Sequence, residues 1–461
     1  MQKYKNQKRE NDPRQISLLV VYGVFEKGAY TNILLDRYLR KSDLAPDDRH
    51  LVTEIVNGTV RMLKHLDWVL NLFLRKPIDK QNPWLRNILR ISLYQMMFME
   101  KIPDYASINS AVELTRNKVG PGLGAVVNGV LRNISRNRDS IIYPEPEDIG
   151  LYLSVYYSQP EWLIEKWRLA YDPQIVQDML EYFNQRPRVF LRNNQLSGTR
   201  EELIQDLTRE GICCLASSRS PWGLLIESMQ ESLQDSKAYQ QGRFYVQNEA
   251  SMLTVSILNP QAGERIIDLC CGVGGKTSFI AELMNNSGHI DAYDIHKHKI
   301  DLLTSNCARL GISIVKGHRQ DILSLPEGQP WADGVLLDAP CSGLGVLNRR
   351  ADSRWRKTPD DISELQELQS RMLDKAGQLV RPGGRLVYST CTINRTENEA
   401  IVGEFLQRNP NFVLEGFAPE ISYFPLDGFD TETAGQGMLT VLPGKYQTDG
   451  MFYARMRRLK S

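Results

Sequence analysis

From Arg243 onward, buried strand patterns alternate with helical ones, and this alternation restricts the architecture more than any other feature of the chain. "RIIDL" has the continuous apolar character of a buried strand, and the Gly-rich "CCGVGGKT" and helix-forming "SFIAELM" follow it. "HIDAYDI" is a second strand, "HKIDLLTSNCARLG" a helix with a glycine stop, and "ISIVKG" a third strand. "GVLLDAP" makes a fourth, the helix "DISELQELQSRMLDKAGQLV" comes next, and "GRLVYST" makes a fifth. Such alternation predicts an α/β domain whose parallel sheet is covered by helices on both faces. Ligands in these sheets bind beyond the carboxyl ends of the strands, near the switch in strand order.

The 461 residues predict two or three domains. From Arg14 to Ile134 apolar residues recur at helical spacing, as in "ILLDRYLR", "LRNILRISLYQMMFM" and "NSAVELTRNKV". An all-helical domain of six or seven helices is expected over 1–140. "SRNRDSIIYPEPED", residues 135–148, is a polar, Pro-bearing linker. Segment 149–240 mixes helical stretches ("PEWLIEKWRLAY") with strand-like ones ("RVFLRN", "GLLIES") and is expected to be a small α+β module. The alternating domain then occupies 241–461.

A hydrophobic share of 42% and a charged share of 24% are those of a soluble globular protein. The apolar run "ISLLVVYGVF" has half of the ~20 residues a membrane span needs, and no signal-peptide pattern is present. Seven cysteines, an odd number without framework spacing, suit a reducing cytoplasm. With no C-x-x-C pair and six scattered histidines, no metal site is expected. The net charge of +1 conceals 23 Lys+Arg against 14 Asp+Glu in residues 1–140, and 33 against 41 in the rest. Those parts carry +9 and −8. The basic N-terminal part suits either solvated helix faces or contact with nucleic-acid phosphates.

The strand ends carry the candidate chemistry. The loop "DLCCGVGGKT" lets backbone approach a ligand closely, yet it is not a P-loop, which would need glycine where Cys270 stands. Asp294 ends the second strand about twenty residues past the glycines, a position suited to ribose hydroxyls. Asp321 follows the third strand and Asp338 ends the fourth. Cys341 and Cys391 follow the fourth and fifth strands. Matched groups at four strand ends point to a nucleoside cofactor.

"DLCCGVGGKT", "DAPCSGLG" and "YSTCTINRTENEAIV" resemble motifs of the bacterial 16S rRNA cytosine-5 methyltransferases, the RsmB (Sun/Fmu) family. "LVTEIVNGTVR", "LRNILRISLYQMMFM" and "AVVNGVLRNIS" resemble the NusB-like RNA-binding domain that this family carries. "YYSQPEWLIEKW" and "GRFYVQNEASML" resemble its middle section and the entry to its catalytic domain. The resemblance implies a Rossmann-like, S-adenosylmethionine-dependent catalytic domain, behind the all-α domain and the small module. It implies methylation of one cytosine of 16S rRNA, the position-967 site, by a cytoplasmic monomer acting on free rRNA or an early small-subunit precursor.

Carbon 5 of cytosine is a poor nucleophile until a thiolate adds to carbon 6, which explains the need for a thiol. The resemblance makes Cys391 the nucleophile and Cys341 the assistant of release, with Asp338 polarising the base near nitrogen 3. It places the cofactor along Cys270, Cys271, Gly272, Val273, Gly274, Gly275 and Lys276, with Asp294 on the ribose, Asp321 near the adenine and Asp338 adjoining. Cys271, Gly272 and Val273 stand where the family usually reads Ala-Ala-Pro. Asn248 stands for a common aspartate, and Ala351 for a frequent proline. Arg349, Arg350, Arg354 and Arg356 are candidates to clamp phosphates beside the catalytic strand. Two other readings stay open: a binding protein with an inactive catalytic domain, and the same chemistry on tRNA or DNA. DNA enzymes of this chemistry use the cysteine after proline, here Cys341.

Overall fold

A computed structural model describes residues 12–145, 147–229, 232–326 and 332–460; residues 1–11 of the expected helical domain and Pro146 of the expected linker lie outside the described residues. The chain divides into two compact units. One comprises Met1–Gln185 with Leu347–Arg356, the other Arg186–Val346 with Lys357–Ser461.

The first unit is helical. Among the described residues up to Arg136 it has seven helices: Pro13–Lys27, Thr31–Lys41, Pro46–Arg61, Leu63–Phe73, Pro83–Phe98, Asp104–Lys118 and Pro121–Arg136. Proline opens four of them, where its missing N–H is no loss and its fixed φ suits the first turn. Asp12 and Asn82 accept first-turn N–H groups and so fix two of these starts. The apolar stripes meet in one core around Val21, Ile55, Leu66, Ile88 and Leu131, all fully buried. Three further helices, Ile149–Tyr156, Glu161–Ala170 and Pro173–Asn184, belong to the same unit. The division between units at Gln185 falls inside segment 149–240.

The short segment 347–356 also belongs to the helical unit, and this revises the expectation for its arginines. Arg354 is fully buried. Its guanidinium donates to the carbonyl oxygens of Ser158 (3.0 Å), Phe183 (3.2 Å) and Leu347 (3.2 Å). Arg356 donates to the carbonyl oxygens of Gly28 and Ala29 and lies 4.6 Å above the Tyr30 ring. Both guanidinium groups are engaged by protein carbonyls rather than presented to phosphate. Arg349 and Arg350 are exposed.

The second unit holds two sheets. In the smaller, β1 (Phe190–Asn193), β2 (Ile212–Ala216), β3 (Gly223–Met229) and β4 (Phe244–Val246) take the order β2-β3-β1-β4, all antiparallel. The sequence marked β1 and β3 and missed the other two. The larger sheet contains β5 (Arg265–Asp268), β6 (His289–Asp294), β7 (Val315–Arg319), β8 (Ala332–Asp338) and β9 (Val380–Thr390). It also contains β10 (Phe412–Leu414), β11 (Met438–Val441) and β12 (Met451–Arg458). The order is β10-β12-β9-β8-β5-β6-β7, with β11 paired to β12.

β5 to β9 are parallel neighbours, as the alternation predicts. The pairings of β10, β11 and β12 are antiparallel, so the sheet is mixed rather than wholly parallel. β10 and β11 are too short to show a pattern. β12 is buried on both faces and carries Arg455, whose ion pairs to Glu420 (2.7 Å) and Glu415 (3.1 Å) let a charge sit in a strand interior. Cores form on both sides of the sheet. Leu336 and Val387 join Phe279 and Ile280 in one, while Leu337 and Tyr388 join Leu373 and Phe405 in the other. Strand order reverses between β5 and β8, which sets the loops following them side by side.

Candidate active site

Register brings the functional side chains together. Asp268 of β5 pairs with Leu336 of β8 and with Ala292 of β6, while Asp338 pairs with Ser389 of β9. The acids Asp268, Asp294 and Asp338 therefore crowd one edge of the sheet, and Cys391 begins the loop just beyond Ser389.

The loop after β5 turns on two left-handed glycines, Gly272 (φ 56°) and Gly274 (φ 94°). A Cβ on Gly274 would stand 2.5 Å from Leu303 Cδ1, so both conformation and space exclude larger residues there. Asp268 closes the loop from below, accepting from Thr277 Oγ1 at 2.6 Å and from the Cys270 N–H at 3.3 Å. Burial pushes the Asp268 carboxyl up to about 6, against the lowering effect of Thr277. Burial likewise raises the thiols of Cys270 and Cys271, which suit backbone placement rather than nucleophilic work.

Lys276, on the first turn of the helix Gly275–Leu283, donates to Asp338 Oδ2 at 2.7 Å. Burial opposes its charge, but Asp338, with help from Cys391 and Asp268, outweighs burial and holds the ammonium above its ordinary range. The other oxygen of Asp338 accepts from Ser389 Oγ at 2.8 Å. Cys341 and Cys391 face each other with their sulfurs 3.2 Å apart, both as free thiols. The hydrogen bond to Cys391, followed by burial, pushes the Cys341 thiol well above its usual range.

The structure joins Lys276, Asp338, Cys341 and Cys391 in one cluster with Asp268 behind the loop. Asp294, at the end of β6, accepts from the His296 N–H (2.9 Å) and from Lys299 Nζ (3.1 Å). Asp321 stands two residues beyond Arg319, the partner of Asp294; it is exposed and caps the turn Ile322–Ser324 through the Leu323 N–H at 3.0 Å. Val273 is exposed in the loop. Among the family departures, Asn248 caps the helix Glu249–Leu258 by accepting from the Ala250 N–H at 2.8 Å, a task an aspartate performs equally. Cys213 is exposed, whereas Cys214 and Cys307 are buried. Sequence reasoning left Asp268, Ser389 and Glu397 unassigned. The strand-end rule that singled out Asp294 and Asp338 applies equally to Asp268. Nothing in the local pattern marks Ser389 or Glu397.

The parallel strands, the glycine turn after the first of them and the acids along one edge define a Rossmann-like methyltransferase domain, here with a paired-thiol site. Three family models match successive stretches of the chain: the NusB family over 11–136, the RsmF/B-like ferredoxin-like domain over 159–231, and 16S rRNA methyltransferase RsmB/F over 255–457. The chain is 36% identical to the probable ribosomal RNA small subunit methyltransferase B of Bacillus subtilis, over 98% of this chain and 99% of that one. The crystal structure of PH0851 superposes with a TM-score of 0.80 at 29% identity, covering 97% of this chain and 99% of that one. NSun6 from Pyrococcus horikoshii, solved with SFG, gives a TM-score of 0.57 at 25% identity, covering 64% and 97%. The chain belongs to the RsmB/F family of 16S rRNA methyltransferases.

Proposed function

We propose that this protein methylates carbon 5 of one cytosine in 16S rRNA, the position-967 site of the family, through a covalent bond between Cys391 and the base. The observation that carries this reading is the 3.2 Å approach of the Cys341 and Cys391 sulfurs beside the Lys276–Asp338 pair. We place the protein in the reducing cytoplasm, acting as a monomer on free 16S rRNA or an early small-subunit precursor. The division into domains 1–140, 149–240 and 241–461 assigns RNA positioning to the first and the reaction to the last.

The residues present fit S-adenosylmethionine. The turn at Gly272 has nothing within 4 Å of where its Cβ would lie, leaving that backbone open, and Asp294 is a carboxylate acceptor at the next strand end. Cys270, Cys271, Gly272, Val273, Gly274, Gly275 and Lys276 would line the cofactor, with Asp294 on the ribose and Asp321 toward the adenine. When bound, S-adenosylmethionine supplies the electrophilic methyl group that carbon 5 accepts.

The Cys391 thiolate adds to carbon 6, and the electron pair of the 5,6 double bond moves toward nitrogen 3. The Lys276–Asp338 pair faces that charge, the Lys276 ammonium supplying the proton that nitrogen 3 takes up. After carbon 5 has gained its methyl, solvent takes up the carbon 5 proton, and the pair of that C–H bond re-forms the 5,6 double bond as the Cys391 sulfur leaves as thiolate. Nitrogen 3 returns its proton to the Lys276–Asp338 pair. Cys341, its sulfur 3.2 Å from that of Cys391, assists this release.

The test uses 16S rRNA fragments carrying 5-fluorocytidine, whose fluorine blocks the final elimination. Covalent protein–RNA adduct is expected with the parent and Cys341→Ala but not with Cys391→Ala. Adduct lost only in Cys341→Ala would reverse the roles, and adduct with tRNA but no 16S fragment would overturn the substrate.

A further inference from the structure

Glu397 lies beyond β9 with no exposed surface, at the centre of the connection between the two thiol-bearing loops. Its Oε1 accepts from the Ser342 N–H (2.8 Å) and from Gln369 Nε2 (3.1 Å). Its Oε2 accepts from Ser342 Oγ (2.5 Å) and Asn394 Nδ2 (3.1 Å), with Thr392 Oγ1 3.4 Å away. Ser342 adjoins Cys341, and Thr392 adjoins Cys391. Gln369 also donates to the Pro340 carbonyl at 2.9 Å, so Cys341 is held on both sides. The Ser342 and Thr392 hydroxyls lie 2.9 Å apart, bridging the loops directly.

We propose that Glu397 is the positioning residue that sets Cys341 against Cys391, and that it thereby governs release of the methylated base rather than formation of the covalent bond. The proposal rests on the assignment of Cys391 as nucleophile and Cys341 as release group. Each carboxylate oxygen meets amide or hydroxyl hydrogens, so the site demands a group that only accepts. Glutamine has the same shape, but its amide nitrogen would face the Asn394 amide or the Ser342 and Gln369 donors. One pairing would become a donor–donor clash in a buried place, where an unmet polar group is costly. The loop carrying Cys341 would shift, and a misplacement near 1 Å lowers rates by about a hundredfold. Asn394→Asp converts the facing donor into an acceptor and keeps the local charge, so Glu397→Gln/Asn394→Asp restores complementarity.

The experiment uses the full chain with S-adenosylmethionine and 16S rRNA fragments containing ordinary cytidine. Turnover, KM for RNA and covalent adduct are measured for the parent, Cys341→Ala, Glu397→Gln and Glu397→Gln/Asn394→Asp. Glu397→Gln is expected to lose at least about tenfold in kcat with KM within about twofold, and to accumulate adduct as Cys341→Ala does. The double variant is expected to recover most of kcat and to shed the adduct. Ser342→Ala, which keeps the carboxylate and removes one hydroxyl, serves if Glu397→Gln does not fold, with a smaller accumulation above the parental level. Parental kcat in Glu397→Gln, loss of kcat without adduct, no recovery in the double variant, or parental adduct in Ser342→Ala would each overturn the proposal. Absence of adduct in Cys341→Ala would instead overturn the assignment of the thiols on which it rests.

Discussion

Replacing Arg192 by methionine is expected to destabilise the second unit by about 3–5 kcal/mol, because it leaves a buried charge without its counter-charge. Arg192 and Glu282 have no exposed side-chain surface and are joined at 2.6 and 3.1 Å. The same guanidinium donates to the Gly275 carbonyl (2.7 Å), to Ser278 Oγ (2.9 Å) and to Gln247 Oε1. The Tyr245 and Phe279 rings flank it at 5.3 and 4.8 Å. Methionine fills much of the space between these rings but satisfies none of the acceptors. Glu282 already sits above the ordinary carboxylate range, because burial outweighs the lowering effect of Arg192. Without Arg192 its folded-state pKa rises further, so the ionised form costs more stability. Below the unfolded value of 4.5 the group is protonated in both states and the deficit is least; it grows as pH rises toward the new folded value. Urea unfolding followed by circular dichroism should therefore show a smaller Arg192→Met deficit near pH 5 than near pH 8. The double variant Arg192→Met/Glu282→Leu should return to within about 2 kcal/mol of the parent. A deficit under about 1 kcal/mol, or a double variant no better than the single one, would refute the reasoning.

Two other outcomes follow from the loop after β5. Asp268, raised from 3.8 to about 6 by burial, binds its proton more tightly folded than unfolded, so the parent should lose on the order of 3 kcal/mol as pH rises across that interval. Asp268→Asn should abolish this slope in unfolding measurements at several pH values, and parallel curves would show that another group is responsible. Gly274→Ala must accept φ of 94° and a contact 2.5 Å from Leu303, whereas Gly272→Ala must accept only φ of 56° in open space. By calorimetry, Gly274→Ala should weaken S-adenosylmethionine binding at least about tenfold, and Gly272→Ala by about fivefold, the equivalent of ~1 kcal/mol of backbone strain. Equal effects would mean that crowding against Leu303 plays no part.

The central strands were legible because they are buried on both faces and so read as continuous apolar runs ended by acids and glycines. "RIID" and "GVLLD" are such runs, with Ile266 and Ile267 turned to opposite cores. The N-terminal helices were legible from their period, which predicts six or seven where the described residues show seven. β10 and β11 escaped because three or four residues cannot establish alternation, and β12 because Arg455 interrupts its apolar run. Arg354 and Arg356 misled for a related reason. A charge is assigned to the surface by default, and only a ring of carbonyls, contributed for Arg354 by Ser158, Phe183 and Leu347, makes burial of a guanidinium affordable.

By itself the sequence determined which groups stand at or just beyond the ends of the strands: Asp294, Asp338, Cys341 and Cys391. This is local information, carried by the strand period and by the glycines that must turn the chain. Tertiary structure alone decided that β8 lies between β5 and β9, and so which of those groups touch. It brought Lys276 to Asp338 across 62 positions, Cys341 to Cys391 across 50 and Ser342 to Glu397 across 55. Such contacts depend on strand order and register, which are set by how whole apolar faces pack. No local pattern records them.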